Sequence, residues 1–278
     1  MNMTYNEVCA MNEIQLQLLR EFIKVCKQLN LTYYMVHGSL LGAYRYENFF
    51  PYDDDIDVAM PRKDYDVFLD KGSSLFTHPF FLQSYKTEEE YPLPFAKLRN
   101  SNTAFIQPSM KNFNINQGIY IDIFPIDYYP KSKIRLKWIE IREKLYNIRI
   151  SARIVYNKKQ PLWKKFLRAG SRVICPSWKG AIKKRAKLYE SISQSGKVIV
   201  TGGKIKERGI PEEWFESGAK LNFSKLIINS PIQYKEYLSC IYGDYEYYNP
   251  AAKYMNTDGT VMVTADIVST TRSYIDFL

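Results

Sequence analysis

The chain has 278 residues, of which 46% are hydrophobic, 15% aromatic and 24% charged, enough apolar material for one large core or two modest ones and incompatible with global disorder. Its 39 Lys and Arg against 29 Asp and Glu give a net charge of +10, but residues 131–206 alone hold 22 basic and 3 acidic side chains, a net of +19, so the remainder carries 17 and 26 and nets −9. No run approaches the roughly 18 uninterrupted apolar residues of a membrane-spanning helix, and residues Met1–Ala10 lack the basic-then-apolar order of a secretory leader, so a cytoplasmic location is expected.

In chain order, Ile14, Leu18, Phe22, Val25 and Leu29 recur at helical spacing with Arg20, Glu21, Lys24 and Lys27 between them, which predicts an amphipathic helix. Thr32–Val36 reads as a short strand, and His37-Gly38-Ser39 turns the chain into a helical segment reaching Arg45. After Pro51, Ile56, Val58 and Met60 alternate with Asp55, Asp57 and Ala59, which predicts a strand with Asp55 and Asp57 on one face. Pro61 suits the first position of a helix through Tyr65, Phe68 and Leu69. Further strands are predicted over Phe80–Tyr85, Pro94–Arg99, Thr103–Gln107 and Gly118–Phe124, the last ending at Pro125. Ser132–Tyr156 and Pro161–Ile192 read as basic helices broken at Gly170 and Pro176, and Pro231–Tyr242 as a helix before an aromatic loop. The pattern is α+β, with a mixed sheet flanked by helices and a basic helical insert. Cys9, Cys26, Cys175 and Cys240 stand too far apart for a zinc knuckle or disulfide framework and are expected as buried thiols.

Four carboxylates within five positions, Asp53, Asp54, Asp55 and Asp57, repel one another unless a cation sits among them. Oxygen-only ligands favour Mg²⁺ or Mn²⁺ over zinc. Asp122, flanked by core-facing Ile121 and Ile123, is the candidate third acid, as metal ligand, general base or both. Gly38 and Ser39 offer N–H groups and a hydroxyl where phosphate is readily held. Lys97 and Arg99 alternate along one predicted strand and are candidates for neutralising phosphate oxygens, as is Arg45. His37 is expected to be structural.

These residues resemble a known family. His37-Gly-Ser-Leu-Leu-Gly-Ala-Tyr-Arg45, Phe50-Pro-Tyr-Asp-Asp-Asp-Ile-Asp57, Met60-Pro-Arg62, Lys97-Leu-Arg99, Gly118-Ile-Tyr-Ile-Asp-Ile-Phe-Pro-Ile-Asp127 and Tyr242-Gly-Asp244 are similar to the LicD family, within the nucleotidyltransferase superfamily and related to fukutin-type ribitol-phosphate transferases. The resemblance implies a nucleotidyltransferase-like core over residues 1–130, with 131–206 as the basic insert and 207–278 packing back on the core. It implies that Asp55, Asp57 and Asp122 hold Mg²⁺ or Mn²⁺ and that Gly38 and Ser39 face a nucleotide's phosphates. The implied reaction moves phosphocholine or a similar phospho-alcohol from a CDP-activated donor to a hydroxyl of a cell-surface, lipid-linked glycan and releases CMP.

The basic insert then has a reading as a peripheral contact with the anionic inner face of the cell membrane, with Trp163, Phe166 and Leu167 set among Lys164, Lys165 and Arg168. No nucleic-acid partner is expected. Competing readings are a nucleotidyltransferase adding a nucleoside monophosphate to a small acceptor, a metal-dependent glycosyltransferase with a D-x-D pair, and a non-catalytic basic module binding RNA or membrane.

Overall fold

A computed structural model describes the chain apart from residues 52, 152–165, 167, 168, 174, 204–206, 249–254, 257 and 258. A two-residue strand, β1 (Asn2–Met3), precedes Thr4, which caps the long helix α1 (Tyr5–Leu29) in a reciprocal capping box: the Thr4 side chain accepts from the Glu7 N–H while the Glu7 carboxylate accepts from the Thr4 N–H. The helix therefore starts about two turns earlier than its apolar stripe predicts. It buries Leu18, Leu19, Phe22 and Val25, each contributing about 1.5–3 kcal/mol of burial.

β2 (Tyr34–Met35) leads into α2 (His37–Tyr46), and β3 (Asp57–Pro61) into α3 (Arg62–Lys71). β4 (Phe80–Gln83), β5 (Ala96–Asn100), β6 (Ala104–Ile106) and β7 (Ile119–Tyr128) follow, then α4 (Lys133–Ser151) and α5 (Trp178–Ala186) of the basic segment. β8 (Lys197–Val200), β9 (Arg208–Pro211), the hairpin β10 (Gly218–Phe223) and β11 (Leu226–Pro231), α6 (Tyr234–Tyr242), β12 (Val261–Met262) and β13 (Ile267–Ser269) close the chain. The central sheet runs β2-β3-β7-β5-β4, with β8 on the far half of β7 and β9 on β8. Among the described strands only β3 and β7 pair in parallel, so the fold is α+β with a mixed sheet, as the sequence pattern predicts.

Several boundaries differ from the sequence reading for identifiable reasons. β7 does not stop at Pro125. On one edge it pairs with β5 up to Ile123 and then with β8 from Ile126, so Pro125 falls at the changeover, where its missing donor leaves no ladder bond broken, and its carbonyl accepts from the Thr201 N–H. β6 is a strand but leaves the central sheet to pair with β13. Pro61 ends β3 and caps α3 rather than opening it. Gly170 lies within a helical turn over 169–173.

Within residues 131–206 the structure describes α4 and α5, which pack through Ile150, Ala181 and Ile182. The guanidinium of Arg149 closes the same contact by donating to the carbonyls of Cys175 and Pro176. The end of this segment, β8, is a strand of the central sheet. Trp163, Lys164, Lys165, Leu167 and Arg168 lie outside the described residues; Phe166 is exposed. All four cysteines are free, Cys26 and Cys175 buried, Cys9 and Cys240 half-buried. Among the described residues, no helix is long and apolar enough to cross a membrane.

Candidate active site

The central feature is a row of polar side chains set by strand register. Asp57 on β3 lies opposite Asp122 on β7, and Asp122 lies opposite Lys97 on β5. Residues in register point to the same face of a sheet, with strands about 4.8 Å apart, so the three form one lateral line while Ile121 and Ile123 turn to the core. All three are buried. Lys97 donates to the Asp122 carboxylate, and its ammonium also sits 3.3 Å from the centre of the Tyr120 ring.

Asp55 joins this row from the segment just before β3, and ligand oxygens of Asp55, Asp57 and Asp122 all lie within 4.8 Å of one another. Burial drives the Asp55 carboxyl well above the ordinary range, reinforced by the charges of Asp57, Asp53, Asp54 and Asp122. Burial likewise pushes Asp122 up to about 6, against the pull of Lys97. Three convergent carboxyls in a low-dielectric setting with one lysine among them suit a hard divalent cation, whose oxygen ligands stand about 2.0–2.6 Å from the metal. Asp53, Asp54 and Asp55 form a second close group, in which Asp54 accepts from the N–H and hydroxyl of Thr264.

The turn at His37-Gly38-Ser39 is tied directly to these acids. The Ser39 hydroxyl accepts from the Asp57 N–H at 2.9 Å. Asp53 lies so close over Gly38 that an added Cβ there would strike its carboxylate. His37 occupies the left-handed region at φ 52° and is buried between two acids, its Nδ1 3.2 Å from Asp57 Oδ2 and its Nε2 2.6 Å from Glu207 Oε1. Tyr237 on α6 donates its hydroxyl to the same Glu207 oxygen. Burial opposes a charged His37, but Glu207 and Asp57 outweigh it and hold its pKa up at about 10, so the ring is an imidazolium. His37, expected from the sequence to be structural, thus lies in contact with the site itself.

The structure brings Asp55, Asp57, Asp122, Lys97, Gly38 and Ser39 together. It places Arg99 on the same face of β5 yet buries it, with Nε donating to Gln83 and Nη1 to the Gly118 carbonyl, and with the guanidinium against the Tyr120 ring. Arg45 points to the aromatic loop: Nη1 donates to the Tyr248 carbonyl at 2.7 Å, and the guanidinium lies over Tyr46 and Phe50. Glu207 and Tyr237 escape the sequence reading. The one available signal is weak, a lone carboxylate directly after the +19 stretch. Gln15 escapes it too; it anchors the acidic segment by donating to the Asp54 carbonyl at 2.8 Å.

Comparison with known proteins gives a curated relative, the lipopolysaccharide cholinephosphotransferase LicD of Haemophilus influenzae, 24% identical over 239 residues that span 83% of this chain and 88% of the relative. Residues 30–176, from the turn before β2 into the basic segment, match the family described as LicD/FKTN/FKRP, nucleotidyltransferase domain. With that match over more than half of its length, laid across the strands that align Asp57, Asp122 and Lys97, the chain belongs to the LicD family.

Proposed function

We propose that the protein is a metal-dependent phosphotransferase that moves phosphocholine or a similar phospho-alcohol from a CDP-activated donor to a hydroxyl of a glycan, releasing CMP. The convergence of Asp55, Asp57 and Asp122 beside Lys97 carries this reading. The curated relative, a cholinephosphotransferase acting on lipopolysaccharide, supports it.

Asp55, Asp57 and Asp122 would hold Mg²⁺ or Mn²⁺, which supplies neutralisation of charge on phosphate oxygens. Phosphoryl-type transfer asks chiefly for alignment and charge stabilisation. Gly38 and Ser39 present the start of α2 to the donor's phosphates. Lys97 keeps Asp122 turned toward the centre and adds a buried positive charge. The acceptor oxygen bonds to the phosphorus that carries the alcohol, the bond from that phosphorus to the oxygen bridging to CMP breaks, and the hydroxyl proton passes to a carboxylate facing the site, for which Asp122 is the candidate. The acceptor is a lipid-linked glycan, and the basic segment faces an anionic membrane surface on the cytoplasmic side.

The test incubates the purified protein with CDP-choline, CDP-ethanolamine, CDP-glycerol or CDP-ribitol, Mg²⁺ and detergent-dispersed lipopolysaccharide, and measures CMP together with the mass of the glycan. CMP release with a phospho-alcohol added to the glycan is expected, and its loss in Asp57→Asn. A nucleotide left on the acceptor, or no product with any donor, overturns the reading.

A further inference from the structure

Where β2 passes into α2, Val36, His37 and Ser39 each grip Asp57. The Val36 N–H donates to the Asp57 carbonyl at 3.1 Å, the Ser39 hydroxyl accepts from the Asp57 N–H at 2.9 Å, and His37 Nδ1 stands 3.2 Å from Asp57 Oδ2. The first two contacts fix the backbone of the acid. Of the three, the His37 contact is the one that acts on the carboxylate.

His37 is itself held on its other sides. Its Nε2 lies 2.6 Å from Glu207 Oε1, and its ring meets Phe124 edge to face with centroids 5.2 Å apart. Phe124 shares the sheet face of Asp122 on β7. Both ring nitrogens face carboxylate oxygens, which only accept, so both carry hydrogen. The left-handed φ of 52° is uncommon for a residue with a Cβ and persists only where the surroundings over-determine it. Glu207 is fixed in turn: the Tyr237 hydroxyl donates to the same Oε1, and Gly203 lies so close that a Cβ there would strike the Glu207 carboxylate. Glu207 and Tyr237 are both fully buried.

We propose that His37 and Glu207 are positioning residues for the metal centre: they set the rotation of the Asp57 carboxylate, engaging one oxygen so that the other is presented to the cation. The proposal rests on the metal-dependent reading above and adds to it the residues that aim a ligand. It also carries the site beyond the matched nucleotidyltransferase domain, residues 30–176, since Glu207 immediately precedes β9 and Tyr237 belongs to α6. Charge agrees with geometry. An imidazolium alone beside Asp57 would oppose a divalent ion, but Glu207 balances it, so the pair supplies orientation without net charge. Ligating carboxylates are commonly held by outer partners of this kind, and losing such a partner weakens metal binding.

The experiment titrates Mn²⁺ alone, with no donor, into the full-length chain and reads free Mn²⁺ by electron paramagnetic resonance, alongside urea unfolding of each variant. His37→Gly and His37→Asn both suit the left-handed backbone. The Asn amide nitrogen can take the place of Nδ1, whereas neither variant reaches Glu207. His37→Gly is expected to weaken Mn²⁺ binding about 10–100-fold and His37→Asn no more than about threefold, although both are destabilised by loss of the Glu207 contact. Glu207→Gln keeps the oxygen but removes its charge, leaves the imidazolium unbalanced and should weaken Mn²⁺ binding about tenfold. A purely structural role predicts instead that affinity follows stability and falls equally in the two His37 variants. That result, or parent-like binding in His37→Gly or Glu207→Gln while Asp57→Asn loses it, overturns the positioning role alone. No Mn²⁺ binding by the parent, or binding that Asp57→Asn leaves intact, defeats the metal reading itself and the positioning role with it.

Discussion

Asp55 is held where its own charge is unwelcome, half-buried and within reach of four other carboxylates. At an effective dielectric near 20, one like-charge neighbour about 4–5 Å away costs about 3–4 kcal/mol, so the site trades stability for a place to hold a cation. Asp55→Asn is accordingly expected to raise the melting temperature in EDTA by a few degrees, and to abolish the rise that Mg²⁺ gives the parent protein. Differential scanning fluorimetry with and without Mg²⁺ reads both; a variant that melts lower in EDTA and still responds to Mg²⁺ would remove Asp55 from the ligand set. Glu207 makes the complementary case. It is fully buried and satisfies both His37 and Tyr237. Glu207→Ala leaves an imidazolium beside Asp57 with its other side unpaired, and breaking a buried pair in this way costs about 3–5 kcal/mol. Urea unfolding should show that loss for Glu207→Ala and a smaller one for Glu207→Gln, which keeps a hydrogen-bonding group in place.

The elements turn these residues into a site through register, and register explains what the sequence reveals and what it hides. The alternation around Asp57 and the apolar flanks of Asp122 are enough to place both acids on strands facing one way, because period-two patterning is local, whereas Asp55, expected on the same strand as Asp57, falls just before β3 begins. That Asp57, Asp122 and Lys97 fall in one row depends on which strands are neighbours and how they slide, and a one-residue slip would turn Asp122 into the core. Arg99 shares Lys97's face, yet Gln83 and the Gly118 carbonyl claim it, contacts set by β4 and by the loop before β7. β8, β9 and the β10–β11 hairpin stayed hidden because their short runs lie amid basic and polar residues without clean alternation. At the mouth of β7, Gly118 packs so tightly on β5 that a Cβ would strike the Asn100 carbonyl. Gly118→Ala must push the β5 edge away, at about 1–3 kcal/mol, and because it disturbs the strand that carries Lys97 and Arg99 it should lower activity as well. Equilibrium unfolding and CMP release measured on the same preparation would show the two losses together.

On the scale of the whole molecule, positive charge is concentrated in residues 131–206 and the acids lie elsewhere. Part of that charge is spent internally: Lys179 and Lys183 pair with Glu89, and Arg185 donates to the Pro92 carbonyl, fastening α5 to the loop between β4 and β5. α4 differs. Ile134, Trp138 and Ile141 form an exposed stripe at helical spacing, 74%, 61% and 42% accessible, while Lys133, Arg135, Lys137 and Arg142 stand exposed around them. An apolar ridge rimmed by cations matches the boundary of an anionic bilayer, where each Lys or Arg near the surface contributes about 1 kcal/mol and an indole settles among the headgroups. Flotation with vesicles of phosphatidylglycerol and phosphatidylcholine should carry the protein upward at low salt and release much of it at higher salt, as screening shortens the reach of the charges. Trp138→Ala should weaken flotation at both salt concentrations, since it removes the part of the attraction that salt does not screen. A protein that stays at the bottom of the gradient at low salt, or that floats equally well on vesicles of phosphatidylcholine alone, would show that this face does not read membrane charge.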